Sequence, residues 1–196
     1  MTNGAFAAID AFRDVESLGH YAAEVARGID PADVLPGLAS HGRDNARTPM
    51  QWDASAHAGF TTGTPWIDVA PSAARISVAA QADDPRSVLA HYRALIRLRH
   101  ELSVVVDGDF RRIDAGDPAV FAFVRRLGDE QLLVVANLSS QPRSPDAAAL
   151  AAWHHADVLL ANVDDVPAPD AELAPWTAVV RRRAASGDLH GAAPTG

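Results

Sequence analysis

The chain has 196 residues, 48% of them apolar and 21% charged, an ordinary globular composition with room for one large domain or two small ones. A formal charge of −8 leaves no excess of basic side chains for phosphate backbones or anionic membranes, so neither nucleic acid nor membrane is expected as a partner. Without cysteine, neither a disulfide framework nor a thiolate zinc site can form, and no run of about 18 apolar residues offers a membrane span; the composition reads as soluble and cytoplasmic.

In chain order, short helices come first. Leu18, Tyr21, Ala22 and Val25 share one face at helical spacing and predict a core-facing stripe, with Gly28 placed for a left-handed helix end. Asp30-Pro31 supplies an N-cap and a proline at the first helical position, and Pro36 is expected to end or bend the helix that follows. Residues 42–82 lack a sustained period and are rich in Gly, Pro, Thr and Asp; an ordered loop of this length usually belongs to a site. Asp84-Pro85 repeats the helix-start signal, and Val88, Leu89, Tyr92, Leu95, Ile96 and Arg99 follow as a core-facing stripe running to about residue 101. The period then changes to two. Five strand-length runs, "DFRRID", "AVFAFVRRL", "EQLLVVANLS", "ADVLLAN" and "WTAVVRRR", predict an antiparallel sandwich or meander with a hairpin turn at Gly128-Asp129. Residues 184–196 are small and polar, and are expected to form a disordered tail.

The densest polar cluster is "GRDNARTPMQW", residues 42–52. Arg43, Asp44, Asn45 and Arg47 could form a mutually oriented network, since the planar arginine fork suits carboxylates and vicinal hydroxyls. The plainer alternative is that Asp44 caps a turn while both arginines brace the loop. Asp44, Asp53, Asp68, Asp83 and Asp84 all lie near this loop, but nothing in the pattern marks one as a raised-pKa acid. The eight histidines show no metal-ligand spacing, and neither G-x-S-x-G nor a phosphate-binding glycine loop occurs, so no metal or cofactor is expected. Of the four tryptophans, Trp52 adjoins the arginine cluster and is expected near a site, whereas Trp66 and Trp176, each beside proline, and Trp153 read as packing residues.

"HGRDNARTPMQWD" followed by "AGFTTGTPWIDV" closely resembles a stretch of the α-glucosidases and oligo-1,6-glucosidases of glycoside hydrolase family 13. The resemblance extends through "MTNGAF", "FRDVES", "DDPRSVLAHYRALIRLRHE", "VFAFVRRLGDEQLLVVANLS" and "LAPWTAVVRRR", to about residue 183. It departs at Phe12, where the family often has Tyr, and at the "PSAAR" of residues 71–75, where the family has an Asn-Tyr pair. The resemblance implies an α+β chain: the end of a (β/α)8 barrel (the loop after strand eight and the last helix, residues 1–102), then an antiparallel β-sandwich C-terminal domain over residues 103–183. It also implies a retaining mechanism with an aspartate nucleophile, a glutamate acid/base and a second aspartate, all on barrel strands that have no counterpart in this chain, so no catalytic residue is expected here. Arg47 corresponds to an arginine that contacts the non-reducing glucose, with Arg43, Asp44 and Asn45 as largely structural neighbours. An α-gluco-oligosaccharide is the implied substrate of the complete enzyme, and the N-terminal portion of the barrel the implied partner.

Two functional readings follow. As the C-terminal part of an α-glucosidase-like enzyme, or of a trehalose synthase-like isomerase of the same family, the chain is inactive alone and exposes Val88, Leu89, Leu95 and Ile96. As a stand-alone module it binds glucans without chemistry.

Overall fold

The computed structural model describes residues 2–184, which divide into two compact units at Ala90/His91. Among the described residues no helix is long and apolar enough to cross a membrane.

In the first unit, α1 (Val15–Ala26) starts on Asp14, whose carboxylate accepts from the Ser17 amide. It closes as the sequence predicts: Gly28 has φ +89°, its N–H donates to the Val25 carbonyl, and Ile29 N–H reaches back to Glu24. Helix α2 (Pro31–His41) opens on the Asp30 cap, with proline in the first turn. Pro36 does not end it. The proline removes only the bond to the Ala32 carbonyl, and Ala32 is exposed, so solvent reaches that acceptor and the helix continues to His41.

A small core of Phe6, Phe12 and Ile67 gathers Ile9, Leu35 and Leu38 around it, with the two phenylalanine rings 4.7 Å apart. The stripe of α1 expected to face a core does not. Leu18 and Val25 are 37% and 36% exposed, and Ser17 is the only buried residue of the helix. Its N-terminus is the buried part, at Asp14 and Ser17, while Tyr21 on the apolar side is half-buried. After it, the chain from Gly42 to Ser77 is irregular except for single 3-10 turns at Arg43–Ala46 and Ala56–Gly59. Helix α3 (Val78–Ala82) pins the middle of that loop, since Val78 and Ala79 N–H donate to the carbonyls of Gln51 and Trp52.

Helix α4 (Val88–Glu101) carries the strongest sequence signal but starts later than Asp84-Pro85 suggests. The Asp84 side chain is occupied by the Arg86 amide in a tight turn, so the Ser87 hydroxyl takes over as cap, accepting from Ala90 N–H, while Gln81 Oε1 accepts from Leu89 N–H. The apolar stripe is present but uncovered. No residue of α4 is buried, with Val88 69%, Tyr92 62%, Leu95 39% and Ile96 52% exposed and Leu89 partly buried.

The second unit is built on an antiparallel five-stranded sheet: β1 (Asp109–Ile113), β2 (Val120–Leu127), β3 (Glu130–Asn137), β4 (Asp157–Ala161) and β5 (Ala178–Ala184), in the order β1-β2-β3-β5-β4. The expected antiparallel C-terminal module is thus present, its described strands forming one sheet. Leu127 pairs with Glu130 across Gly128-Asp129, and Gly128 has φ +56°, the positive φ that a two-residue hairpin needs at its first central position. Period two sorts the faces. Val120, Ala122 and Val124 of β2 join Leu133 and Val135 of β3 under Leu150, Trp153 and Leu173, which come from α6 (Ala147–Leu150) and the chain after it.

Over the opposite face of β2 lies the short helix α5 (Ser103–Asp107), with Val104 fully buried. Arg125 fixes it: Nε donates to the Val104 carbonyl, and Nη2 to those of Val106 and Gly108. A guanidinium at the helix C-terminus satisfies carbonyls that have no partner within the helix. Trp153 packs as expected, with the Arg183 guanidinium 4.0 Å over its ring. Trp66 and Trp176 do not; they are 62% and 59% exposed, because the adjoining prolines set the backbone without placing anything over the indoles. Of the tail expected at residues 184–196, Ala184 ends β5 and the remainder lies outside the described residues.

These burials separate two substitutions. Leu133→Ala, at a fully buried centre of the sheet, should lower stability by about 3 kcal/mol in urea unfolding followed by circular dichroism. Ile96→Ser on the uncovered face of α4 should shift it by less than about 0.5 kcal/mol.

Candidate functional site

The arginine cluster of residues 43–47 folds around two carboxylates, and its members reach outward more than toward one another. Asp44 is fully buried in the turn after α2. Its Oδ2 accepts from the backbone N–H of Arg13 (2.6 Å) and Asp14 (2.9 Å), while Oδ1 lies 3.4 Å from Arg47 Nη1. Of the two readings of Asp44, the local turn cap does not hold: the carboxylate ties the loop to a segment about thirty residues earlier and reaches Arg47 within the cluster. That happens because the chain preceding α1 turns two free amides toward the cluster, and a buried carboxylate needs such donors.

Asp14 repeats the division of labour. Oδ2 accepts from both the amide and the hydroxyl of Ser17, each at 3.1 Å, which caps α1; Oδ1 accepts from Arg47 Nη1 at 3.0 Å. Burial alone would raise the Asp14 pKa, but the Ser17 amide and hydroxyl, with Arg47 and the charge of Arg43, outweigh it and hold the carboxyl below the ordinary 3.8. Arg43 is a looser member, 64% exposed and 3.8 Å from Asp14 and 3.6 Å from Glu16. Asn45 staples the loop instead: its Oδ1 accepts from Gly4 N–H and its Nδ2 donates to the Ala39 carbonyl.

Arg47 is the member with chemistry to spare. Its side chain is 34% exposed, and both ion-pair contacts fall on Nη1. Among the described residues Nε and Nη2 have no partner, so an edge of the planar fork is left for a carboxylate or a pair of hydroxyls. Trp52, expected near a site, is 50% exposed five residues on.

Two of the acids near the loop are held in the ionised form by their partners. Asp53 is held below its ordinary value by the Ser55 hydroxyl and amide, so Asp14 and Asp53 both shift away from what a proton donor at neutral pH requires. Beside α1 and α2 a cleft of about 510 Å³ is lined by Asp14, Glu16, His20, His41 and Arg43, and a second of about 350 Å³ by Asp53, His57 and Asp68. Among the described residues no group of three or more His, Asp or Glu could hold a metal ion.

Asp14 does not stand out in the sequence as a member of the cluster. Its signal was available as Asp14-x-x-Ser17 ahead of a helical run, the spacing of an N-cap and its third residue; a charged cap keeps a second oxygen for a nearby cation.

Two outcomes follow. Asp44→Ala strands two backbone amides that bond to a charged acceptor, and should cost roughly 3 kcal/mol in denaturant unfolding. For Asp14, whose folded pKa lies below 3.8, the stabilisation is complete above pH 3.8 and disappears as pH falls through the lower folded value. Thermal melts of wild type and Asp14→Asn should therefore differ at neutral pH and converge in acid below 3.8.

The chain matches the family model described as "Alpha amylase, catalytic domain" over residues 14–108, and that described as "Maltogenic Amylase, C-terminal domain" over residues 110–173. Among curated relatives, the oligo-1,6-glucosidase of Parageobacillus thermoglucosidasius is 41% identical over 187 residues, covering 92% of this chain and 33% of that protein. The trehalose-6-phosphate hydrolase of Bacillus subtilis is 42% identical over 165 residues, covering 83% and 29%. Among solved structures, the trehalose-6-phosphate hydrolase of Bacillus licheniformis superposes with a TM-score of 0.85 at 35% identity, over 94% of this chain and 34% of that one. The trehalulose synthase of Pseudomonas mesoacidophila gives 0.81 at 39%, over 93% and 33%. The chain thus spans about a third of the length of the relatives it matches. With two adjoining models matched in order and relatives that align over nearly all of it, this chain belongs to the alpha-amylase family of glycoside hydrolases, as end of catalytic domain followed by C-terminal domain.

Proposed function

We propose that this chain is the C-terminal part of an α-glucosidase-like enzyme that releases terminal α-linked glucose from oligosaccharides, and that it contributes a substrate contact without a catalytic carboxylate. On this reading residues 1–102 complete the catalytic domain and residues 103–183 form the C-terminal domain. The observation that carries it is Arg47: a guanidinium held on one nitrogen by two carboxylates while its other edge is open. Vicinal hydroxyls of a sugar match that edge. The relatives' names, oligo-1,6-glucosidase and trehalose-6-phosphate hydrolase, support an α-glucoside as the ligand.

The same geometry argues against chemistry by this chain alone. Retaining hydrolysis needs two carboxyl groups about 5 to 5.5 Å apart flanking the scissile bond, one of them a proton donor. Asp14 and Asp44 spend their oxygens on backbone amides and Arg47, and Asp14 is held ionised. Nor does Arg47 suffice for binding, since one charged hydrogen bond contributes roughly 1.5 to 3 kcal/mol, against about 4 kcal/mol for a millimolar complex. The partner is the preceding part of an alpha-amylase catalytic domain, and the uncovered face of α4, Val88, Leu95 and Ile96, is the apolar surface it would cover.

The purified chain should release no p-nitrophenol from p-nitrophenyl α-glucoside above a buffer blank; measurable turnover overturns the reading. In an assembly completed with the preceding two thirds of a family enzyme, Arg47→Ala should lower kcat/KM about 10- to 150-fold, the loss of one charged hydrogen bond. An unchanged kcat/KM there removes Arg47 from the site.

A further inference from the structure

We propose that Asp14 is the positioning residue for Arg47: one carboxylate both starts α1 and aims the guanidinium, so the open edge of Arg47 is set by the N-terminus of a helix. The inference rests on reading Arg47 as the ligand contact, but the geometry behind it is independent of any ligand. Asp14 cannot swing. Its Oδ2 is fixed by the Ser17 amide and hydroxyl, and its side chain is 6% exposed. Oδ1 is thereby held in one place, and Arg47 Nη1 meets it at 3.0 Å. Asp44 Oδ1 approaches the same nitrogen at 3.4 Å, and the Asp14 amide donates to Asp44 Oδ2, so the two carboxylates are locked to each other through the backbone. Nη1 carries two hydrogens and meets two acceptors, which resists rotation about the Cζ–Nη1 bond and leaves Nε and Nη2 facing away from both acids. Asp14, with the shorter contact, dominates.

The amide of asparagine separates the two roles of this side chain. Asparagine caps helices as well as aspartate does, but the cap requires its oxygen on the Ser17 side. Its NH2 group then faces Arg47 Nη1, donor against donor. Asp14→Asn should therefore keep α1 and release Arg47, an outcome that a purely structural role for Asp14 does not produce.

The test is NMR of the full chain labelled with 13C,15N-arginine, with no sugar present, the Arg47 signals assigned by Arg47→Lys. In the wild type the Nη signals of Arg47 should be resolved at low temperature because rotation is slow. In Asp14→Asn the rotation rate should rise about tenfold or more, as expected when a charged hydrogen bond is lost, with far-UV ellipticity at that temperature unchanged. Asp14→Ser, which also caps but offers no charge, should do the same and serves if the asparagine variant fails to fold. Rotation as slow in either folded variant as in the wild type overturns the proposal and leaves Asp44 as the holder. A single averaged Nη signal for wild-type Arg47 at every temperature overturns it without any variant. Because no ligand is present, failure here leaves the sugar-contact reading standing, and failure of Arg47→Ala to lower kcat/KM leaves the positioning result standing.

Discussion

The first unit hangs on two carboxylates that each use one oxygen on backbone amides and the other on Arg47. Asp44 joins the loop to the amides of Arg13 and Asp14; Asp14 starts α1 and closes the ring on the same arginine. The apolar core there is small, Phe6, Phe12 and Ile67 with a few neighbours, and it contains no residue of α1. Beside that core, polar bonds join segments far apart in sequence: Gly4 to Asn45, Arg13 to Asp44, Asp14 to Arg47. Such a knot is brittle. Removing one member of a buried ionic group costs more than the assembled group contributes, because the remaining charge is left buried without its partner.

The second unit solves the same problem with surface area. Its central strand β3 pairs on both sides, with β2 and β5, and buries Leu132, Leu133 and Val135. Here arginine works at the margins. Arg125 terminates α5, and Arg183 stacks on Trp153 while its Nε and Nη2 donate to Gln131 Oε1. Loss of one of these loosens a helix end or a strand edge; the sheet core beneath does not depend on it.

Legibility in the sequence followed the same divide. The five strands could be read because period two with turn residues between runs is a local signal, and Gly128 marked its hairpin by the φ it adopts. Helix α4 was legible as a helix, the exposure of its apolar stripe was not: periodicity reports which residues share a face, while burial depends on what lies opposite. The same holds for α1. At the site, Arg47 and Asp44 stood out by density and Asp14 did not, because its partners are 30 and 33 residues away and only folding brings them together. Asp84 shows the converse error, where a good local capping signal lost to Ser87 once the Arg86 amide had claimed its carboxylate.

An arginine that contacts substrate must be both exposed and fixed, and these demands oppose each other. Exposure lets a long side chain sample rotamers, and ordering it on binding costs roughly 0.5 to 1.5 kcal/mol, a sizeable part of what its hydrogen bond returns. Arg47 meets both demands by dividing its own atoms: Nη1 lies between two buried acids, while the rest of the fork remains at the surface. The ordering is completed during folding of a local unit, between residues 13 and 47, and does not wait for a ligand. Catalysis has no such local solution, since its carboxylates must be held across a scissile bond by a scaffold larger than this loop. On the reading of Arg47 as a sugar contact, this loop supplies a preorganised guanidinium edge, and a catalytic pair would have to be held by a larger scaffold.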